Sequence, residues 1–353
     1  MSIIISGSGS EIPTQKITNE DFLSHHFLNE DGTNFPQNNE TVARKFYQIT
    51  GIEERRYAED NQVNSDLAFK AAEKAIANAK IDPETLDYII VAHNYGDVKK
   101  GNVQSDTVPS IATRVKYQLR IKNPSCVAYD VLFGCPGWIE GVIQAQAFIK
   151  DGIAKKCLVI GSKKLSRVVN KHDRDSMIYS DGAGATVIEE STDNDRGFIH
   201  HKSATFTYDE ANYLFFGASF NKEEKEDTRY IKMYGRKIYE FALTNVPEAM
   251  KSCLDESGTD INAVKKILIH QANEKMDEAI VDRFYKLYNM EMPKDIMPMS
   301  IGKLGNSSVA TVPTLYDLLV NNQLENHSIK KGDVLLFASV GAGMNINAFV
   351  YKV

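Results

Sequence analysis

Cys135 is the residue of this sequence best placed to act as a nucleophile. It lies in the run Asp130-Val-Leu-Phe-Gly-Cys-Pro-Gly-Trp-Ile139, where an apolar strand ends and a helix begins. The positive end of a helix dipole favours the thiolate, and the flanking glycines leave room for a substrate to approach the sulfur. The alternative is a buried structural cysteine, which is our interpretation of Cys126 and Cys157 within their apolar runs.

Two further polar residues stand at turns suited to chemistry. His270 ends an apolar strand, and active sites of α/β proteins form at the carboxyl ends of strands. His93 holds the matching place in the first half without a comparable polar sequence after it, so we interpret it as structural. Asn306 precedes a helix, where the alternative role is a helix cap. A thiolate beside an imidazole and an amide donor suits acyl transfer.

The elements that carry these residues occur twice along the chain, which indicates an internal repeat. Each half has a helix, an apolar strand, a turn opening a second helix, and a second apolar strand, predicted at 67–79, 87–94, 135–149 and 157–161, and again at 239–254, 266–271, 306–319 and 334–338. Apolar strands alternating with helices predict an α/β fold. The polar stretch 190–196 predicts two halves, 1–190 and 191–353. A pseudo-twofold axis would bring the turns of Cys135 and Asn306 together.

Composition excludes several classes of protein. The chain has 353 residues, 42% hydrophobic and 25% charged, with a net charge of −6, which is typical of a globular protein and unfavourable for nucleic-acid binding. Four cysteines without metal-binding spacing predict neither a disulfide framework nor a metal site. We find no signal peptide and no membrane-spanning stretch, so we expect a cytoplasmic protein.

Five motifs spread over nearly the whole chain carry a family resemblance. They are Thr50-Gly-Ile-Glu-Glu-Arg-Arg56, the Cys135 turn, Tyr179-Ser-Asp-Gly-Ala-Gly-Ala185, His270-Gln-Ala-Asn273 and Leu304-Gly-Asn-Ser-Ser308. Together they resemble the thiolase superfamily, most closely its β-ketoacyl-(acyl carrier protein) synthase III branch. The resemblance implies a duplicated five-layer αβαβα fold, a homodimer, and Cys135, His270 and Asn306 as the catalytic triad.

The resemblance also implies a reaction. Cys135 would accept an acyl group from a thioester and pass it to a malonyl unit on acyl carrier protein as carbon dioxide leaves, in fatty acid or polyketide synthesis. The backbone N–H groups of Cys135 and Gly343 would hold the acyl oxyanion. No resident cofactor is expected, because the substrate thioesters bring the phosphopantetheine.

Several positions bear on the substrate and the carrier. The resemblance makes Val108 the gate of the acyl pocket, smaller than the family's usual Phe, and we therefore expect a donor longer or more branched than acetyl. Asn273, Lys275 and Arg283 are expected to contact the carrier protein or its pantetheine. For the two basic residues, the alternative is a solvated helix face.

Two other interpretations remain open. The chain could be a specialised ketosynthase that joins two acyl or β-ketoacyl thioesters, as in dialkylresorcinol synthesis, or an acyltransferase to oxygen or nitrogen. Alternatively, it could be a non-catalytic partner of a synthase. Lys45 and Ile49 stand near where the resembled family commonly has a CoA-stacking Trp and an Arg, which argues against CoA recognition and keeps the first alternative open.

Overall fold

Two β-sheets form the centre of the chain, which the computed structural model describes at residues 2–224 and 228–353. The elements up to residue 191 are β1 (Ser2–Glu11), β2 (Gln15–Thr18), α1 (Asn39–Thr50), β3 (Glu54–Tyr57), α2 (Asn64–Ala79), β4 (Tyr88–His93), α3 (Ile111–Gln118), β5 (Val127–Leu132), α4 (Gly137–Lys150), β6 (Lys156–Lys163) and β7 (Gly182–Ser191). Those that follow are β8 (Gly197–Thr205), β9 (Leu214–Ala218), β10 (Arg229–Met233), α5 (Gly235–Glu256), β11 (Val264–Ile269), α6 (Glu274–Lys286), α7 (Ile301–Leu304), α8 (Thr311–Val320), β12 (Val334–Gly341) and β13 (Asn345–Lys352).

The two sheets repeat one strand order. The first runs β1-β7-β6-β4-β5 and the second β8-β13-β12-β11, so each strand of the second sheet has a counterpart in the first. Strands β4 and β6 are parallel, as are β11 and β12, and the remaining neighbours β6/β7, β12/β13, β1/β7 and β8/β13 are antiparallel. Among the described residues, the first sheet has a fifth strand, β5, parallel to β4, and the second sheet has four strands. The predicted division between the halves at residue 190 stays a prediction. It lies close to the loop between β7, which ends at Ser191, and β8, which begins at Gly197.

The helices and sheets stack in five layers. Helices α2 and α3 pack on the outer face of the first sheet, and α5 and α6 pack on the outer face of the second. Helices α4 and α8 lie between the sheets and share one apolar core with both inner faces. Sheets covered on both faces need apolar runs in their strands, which β6 supplies from Cys157 to Ile160 and β12 from Val334 to Ala338. The predicted duplicated αβαβα fold is confirmed.

Close contact between the central helices and the strands depends on glycine. A Cβ atom at Gly141 of α4 would lie 2.9 Å from Val159 Cγ1, and one at Gly161 of β6 would lie 2.3 Å from the carbonyl oxygen of Val309. Contacts this short leave no space for a larger residue. The turns at the ends of these elements are therefore held close to the strand ends.

Most of the predicted elements are present with small shifts of their ends. Helix α8 begins at Thr311, after a 3-10 turn at Ser308–Ala310, and not directly at Asn306. The alternative role of Asn306 as the cap of this helix is therefore wrong. No helix within the described residues is long and apolar enough to cross a membrane.

Candidate active site

Three turns from the two halves meet at one cavity of about 1180 Å³. Cys135 lies between β5 and α4, His270 follows β11, and Asn306 lies between α7 and α8. All three residues line the cavity. The structure therefore brings together the nucleophile, imidazole and amide that the sequence places at separate turns.

The environment of the Cys135 thiol favours its ionised form. Its Sγ atom lies 3.0 Å from the hydroxyl oxygen of Ser308. Burial raises the pKa of Cys135, but the charge and hydrogen bond of His270, the charge of Lys163 and the Ser308 hydrogen bond outweigh burial and lower it to about 6. A thiol with this pKa is largely thiolate at neutral pH, the form that attacks a thioester.

The turn that carries His270 is anchored through its neighbour. The backbone N–H of His270 donates to the carbonyl oxygen of Ala338, at 2.9 Å. The side chain of Gln271 donates to Pro298 O at 2.7 Å and accepts from the backbone N–H of Ser300 at 2.9 Å. The His270 Nδ1 atom is buried and has no hydrogen-bond partner among the described residues. The backbone of the turn is thus fixed, and His270 lines the wall of the cavity.

The backbone N–H and carbonyl oxygen of Asn306 both form hydrogen bonds with residues of the first half of the chain. Its N–H donates to Ile178 O at 3.0 Å, and its carbonyl oxygen accepts from Ser180 N–H at 2.9 Å. The side-chain Oδ1 accepts from the backbone N–H of Ser308 at 2.7 Å. With Oδ1 held in this way, the amide has its Nδ2 donor left for a group in the cavity.

A glycine turn approaches Cys135 from the second sheet. A Cβ atom at Gly341 would lie 2.6 Å from the backbone nitrogen of Cys135, and Gly343 has a φ of +75°, which favours glycine. Asn345 Nδ2 donates to Ala342 O at 2.7 Å, and Asn347 Nδ2 donates to Pro136 O at 3.0 Å. Asn345 thus stabilises the glycine turn itself, and Asn347 links β13 to the turn that carries Cys135.

The cavity wall is mainly apolar, with basic residues among the exceptions. Its apolar part includes Val42, Phe46, Phe215, Ile231, Met233 and Ile238. Besides Lys163, its basic residues are Lys45, Arg174, Arg236 and Lys237, against the acidic Glu30 and Asp175. The cavity thus offers an apolar surface for an acyl chain and positive charge for an anionic group.

Known proteins match the whole length of the chain. The model of 3-oxoacyl-[acyl-carrier-protein] synthase III matches residues 129–205, and the model of its C-terminal part matches residues 254–353. The β-ketoacyl-[acyl-carrier-protein] synthase III of Staphylococcus haemolyticus is 31% identical over 353 residues, which is 100% of this chain and 99% of the relative. This chain belongs to the synthase III family.

Solved structures of synthase III proteins share the fold over the same length. The enzyme from Aquifex aeolicus has a TM-score of 0.81 at 27% identity and covers 99% of this chain and 100% of its own. That from Thermus thermophilus has a TM-score of 0.80 at 27% identity and covers 99% of both chains. The family resemblance inferred from the five motifs is confirmed.

Most of the residues predicted to contact the acyl chain or the carrier do not line the cavity that contains the thiol. Val108 is 84% exposed and does not line the chain's own cavity. Lys275 and Arg283 are exposed on α6, and Arg283 donates to Leu243 O at 3.0 Å. Asn273 lines the cavity while its side chain accepts from Met276 N–H and caps α6. Their roles toward the acyl chain and the carrier stay predictions.

Residues given structural interpretations in the sequence are buried in this synthase III fold. His93 is held by Asp130, with 2.9 Å between Nε2 and Oδ2. Trp138, which follows the Cys135 turn, is packed between the sheets. Cys126 and Cys157 are buried, and burial raises the pKa of Cys157 to about 12, so its thiol stays protonated.

Sequence reasoning missed two polar residues next to Cys135. Ser308 was part of a motif without a role, and it is the hydroxyl that contacts the sulfur while accepting from Asn94 Nδ2 at 2.8 Å. Lys163 ends β6, whose middle residues are apolar, and it lines the cavity. A charged residue at the carboxyl end of a buried strand is the signal that could have identified it.

Proposed function

We propose that this protein is an acyltransferase that condenses a Cys135-bound acyl group with malonyl-acyl carrier protein. The observation that carries the proposal is the Cys135 thiol, with a pKa lowered to about 6 and with His270 as its hydrogen-bonding neighbour in a large, mainly apolar cavity. The relatives of this chain are named as synthases of this kind.

In the first half of the reaction, the Cys135 thiolate attacks the carbonyl carbon of an acyl thioester. The bond from that carbon to the donor sulfur breaks, and the donor leaves as a thiol after taking a proton. We assign the backbone N–H groups of Cys135 and Gly343 to the oxyanion of this step. Removing one such donor typically costs about 3 to 4 kcal/mol of transition-state stabilisation.

In the second half, the malonyl thioester loses carbon dioxide and becomes an enolate. His270 and Asn306 hold its thioester oxygen, where the negative charge develops. The enolate carbon attacks the acyl-cysteine, and the Cys135 thiolate leaves, which regenerates the enzyme and releases a β-ketoacyl thioester. No resident cofactor takes part, since both substrates bring their own phosphopantetheine.

The cavity supports an acyl donor larger than acetyl. Its volume of about 1180 Å³ exceeds the usual upper end for a small-molecule site, about 1000 Å³. Its basic lining residues, such as Lys45 and Arg174, suit the phosphate of a pantetheine arm or an acidic carrier protein. We further assign carrier contacts to Asn273, Lys275 and Arg283 and propose that the reaction takes place in the cytoplasm.

We also propose that the protein is a homodimer. Strand β5 is an edge strand of the first sheet, and Val127 and Leu132 at its two ends are exposed. Exposed apolar edge strands are normally covered, and a second copy would cover this one. Val108, exposed in one chain, would then gate the acyl pocket of its partner.

Intact-protein mass measures the first step directly. Wild type, Cys135→Ala and the control Cys253→Ala are mixed with short and long acyl thioesters on CoA and on carrier protein. We expect an acyl mass gain in wild type and Cys253→Ala only, since Cys253 is buried with its pKa raised to about 12. Added malonyl-acyl carrier protein should then remove the acyl mass and yield a β-ketoacyl product.

Three results would contradict the proposal. Acyl gain in Cys135→Ala would place the nucleophile elsewhere, and no gain with any donor would favour a non-catalytic role. Loading followed by condensation without malonyl donors would favour a ketosynthase that joins two acyl thioesters.

A further inference from the structure

Lys163 is a buried lysine whose ammonium group faces the active-site cavity. It is the last residue of β6, is 2% exposed, and lines the cavity with Cys135. Its Nζ atom lies 4.7 Å from the centre of the Tyr179 ring. No hydrogen bond or ion pair joins this Nζ atom to any described residue. An ammonium removed from water needs a compensating charge or acceptor, and the ring face supplies only part of it.

The next residue, Lys164, is also a buried lysine, but its ammonium group has hydrogen-bond acceptors. Lys164 is 3% exposed, and its Nζ donates to the carbonyl oxygens of Glu59 and Gln62. The carboxylate of Asp181, which attracts both lysines, already accepts from Ala58 N–H and from the hydroxyl of Ser166 at 3.0 and 2.6 Å. Lys163 therefore lacks the protein acceptors that Lys164 has.

The fold brings Lys163 and Cys135 to the same edge of the first sheet and to the same cavity. Strands β5, β4 and β6 are parallel neighbours, so their carboxyl ends lie at one edge of the sheet, about 10 Å from first to third. Helix α4, which begins just after Cys135, crosses toward β6, and a Cβ atom at Gly161 would lie 3.1 Å from Trp138 Cβ. Tyr179, beneath the ammonium, forms a backbone bridge with Asn306.

We propose that the ammonium of Lys163 is the counter-charge of the Cys135 thiolate and acts as a positioning residue that keeps the nucleophile ionised. The inference rests on Cys135 being the nucleophile of the proposed function. Lys163 would thus act on the thiolate from the first half of the chain, while His270 acts from the second half.

The titration behaviour of the two groups agrees with this pairing. Burial lowers the pKa of Lys163 to about 8, although the charges of Cys135 and Asp181 oppose the fall. The pKa of Cys135 is lowered to about 6. Below pH 6 the thiol is neutral and above pH 8 the amine is neutral, so the ion pair exists between these values. The other titratable groups facing the pair are His270, Tyr179 and Asp181.

The test is the pH profile of Cys135 alkylation by iodoacetamide, read by intact mass. Lys163→Met and Lys163→Gln remove the charge, and Lys163→Arg keeps it. We expect the midpoint to rise by about one pH unit in the Met and Gln variants, which makes alkylation at pH 6 about fivefold slower. The Arg variant should stay near the wild-type midpoint.

Lys164→Met is the matched control, because it removes an equally buried lysine that points to backbone carbonyls. Its midpoint should not move. An unchanged midpoint in a folded Lys163→Met or Lys163→Gln variant, checked by circular dichroism, overturns the proposal. So does an equal shift in Lys164→Met.

A measurement on the wild type needs no substitution. A cation beside the sulfur attracts the anionic reagent iodoacetate over neutral iodoacetamide, and this preference should fall as pH passes 8 and Lys163 loses its proton. A rate ratio that does not change between pH 7 and 9 contradicts the proposal. Neither readout uses an acyl substrate, so failed acyl loading with a positive result here would overturn the proposed function alone.

Discussion

The side-chain amide of Asn306 can donate a hydrogen bond from Nδ2, whereas an ionised carboxylate can only accept hydrogen bonds. Asn306→Asp keeps the acceptor for Ser308 N–H, at 2.7 Å in the wild type, and loses the Nδ2 donor. We expect β-ketoacyl product to form about a hundredfold more slowly or worse, since a donor to the developing charge is gone. The measurement is the rate of product release from malonyl-acyl carrier protein.

Acyl loading of the same variant is the internal control. At pH 8 the Cys135 thiolate forms even if the new carboxylate raises its pKa, so loading should still reach completion. Product release at the wild-type rate would remove Asn306 from the condensation step.

The sequence could predict residues whose role depends on local context. Cys135 before a helix and His270 after a strand are visible as patterns, and the structure brings both to one cavity. Ser308 could not be found in this way, because its contact with Cys135 depends on how segments distant in sequence align. The place of Lys163 at a strand end is visible in the sequence, but its electrostatic effect on Cys135 is not. The bond from Asn347 Nδ2 to Pro136 O likewise joins segments far apart in the sequence.

At the scale of elements, the site depends on how closely two turns approach. Gly341 has an extended φ of −169°, so its need for glycine comes from contact and not from backbone strain. Gly341→Ala would place a Cβ 2.6 Å from Cys135 N and 2.7 Å from Pro136 Cδ. We expect the turns to separate, with slower acyl loading and a loss of about 1 to 3 kcal/mol in the free energy of unfolding, measured by urea denaturation.

Gly182→Ala is the matched substitution on a strand near the same site. Its Cβ would meet Glu11 O and Ser307 Cβ at 3.5 and 3.6 Å, which are ordinary contacts. This variant should load and unfold like the wild type. If the two substitutions had equal effects, the close contact at Gly341 would not be what holds the two turns together.

The repeated elements explain why the fold was more predictable than the site. Helices and apolar strands follow from the periodicity of each segment alone, and the same order appears in both halves. The five-layer arrangement was implied by family resemblance, since no local pattern states which sheet faces which helix. The start of α8 at Thr311 was misplaced because the intervening 3-10 turn has no separate sequence signal.

At the scale of the whole molecule, one edge of the first sheet is left open. Val127 begins β5 and is 45% exposed, and Tyr117 and Val108 near the same edge are also exposed. A twofold dimer presents the same strand from both copies, so one substitution would place two like charges in the interface. We therefore expect Val127→Lys to shift the protein from dimer to monomer in sedimentation equilibrium.

The second sheet provides the matched control for this experiment. Ile199 is 43% exposed on β8, the edge strand of that sheet, so Ile199→Lys adds the same charge at a similarly exposed apolar site. It should leave the dimer intact. A monomeric wild type at micromolar concentration, or dissociation by Ile199→Lys alone, would place the interface elsewhere. Val108 does not line the cavity of its own chain, so the gate proposed for it would act across the dimer. If it does, the Val127→Lys monomer should also lose the wild-type preference among acyl chain lengths.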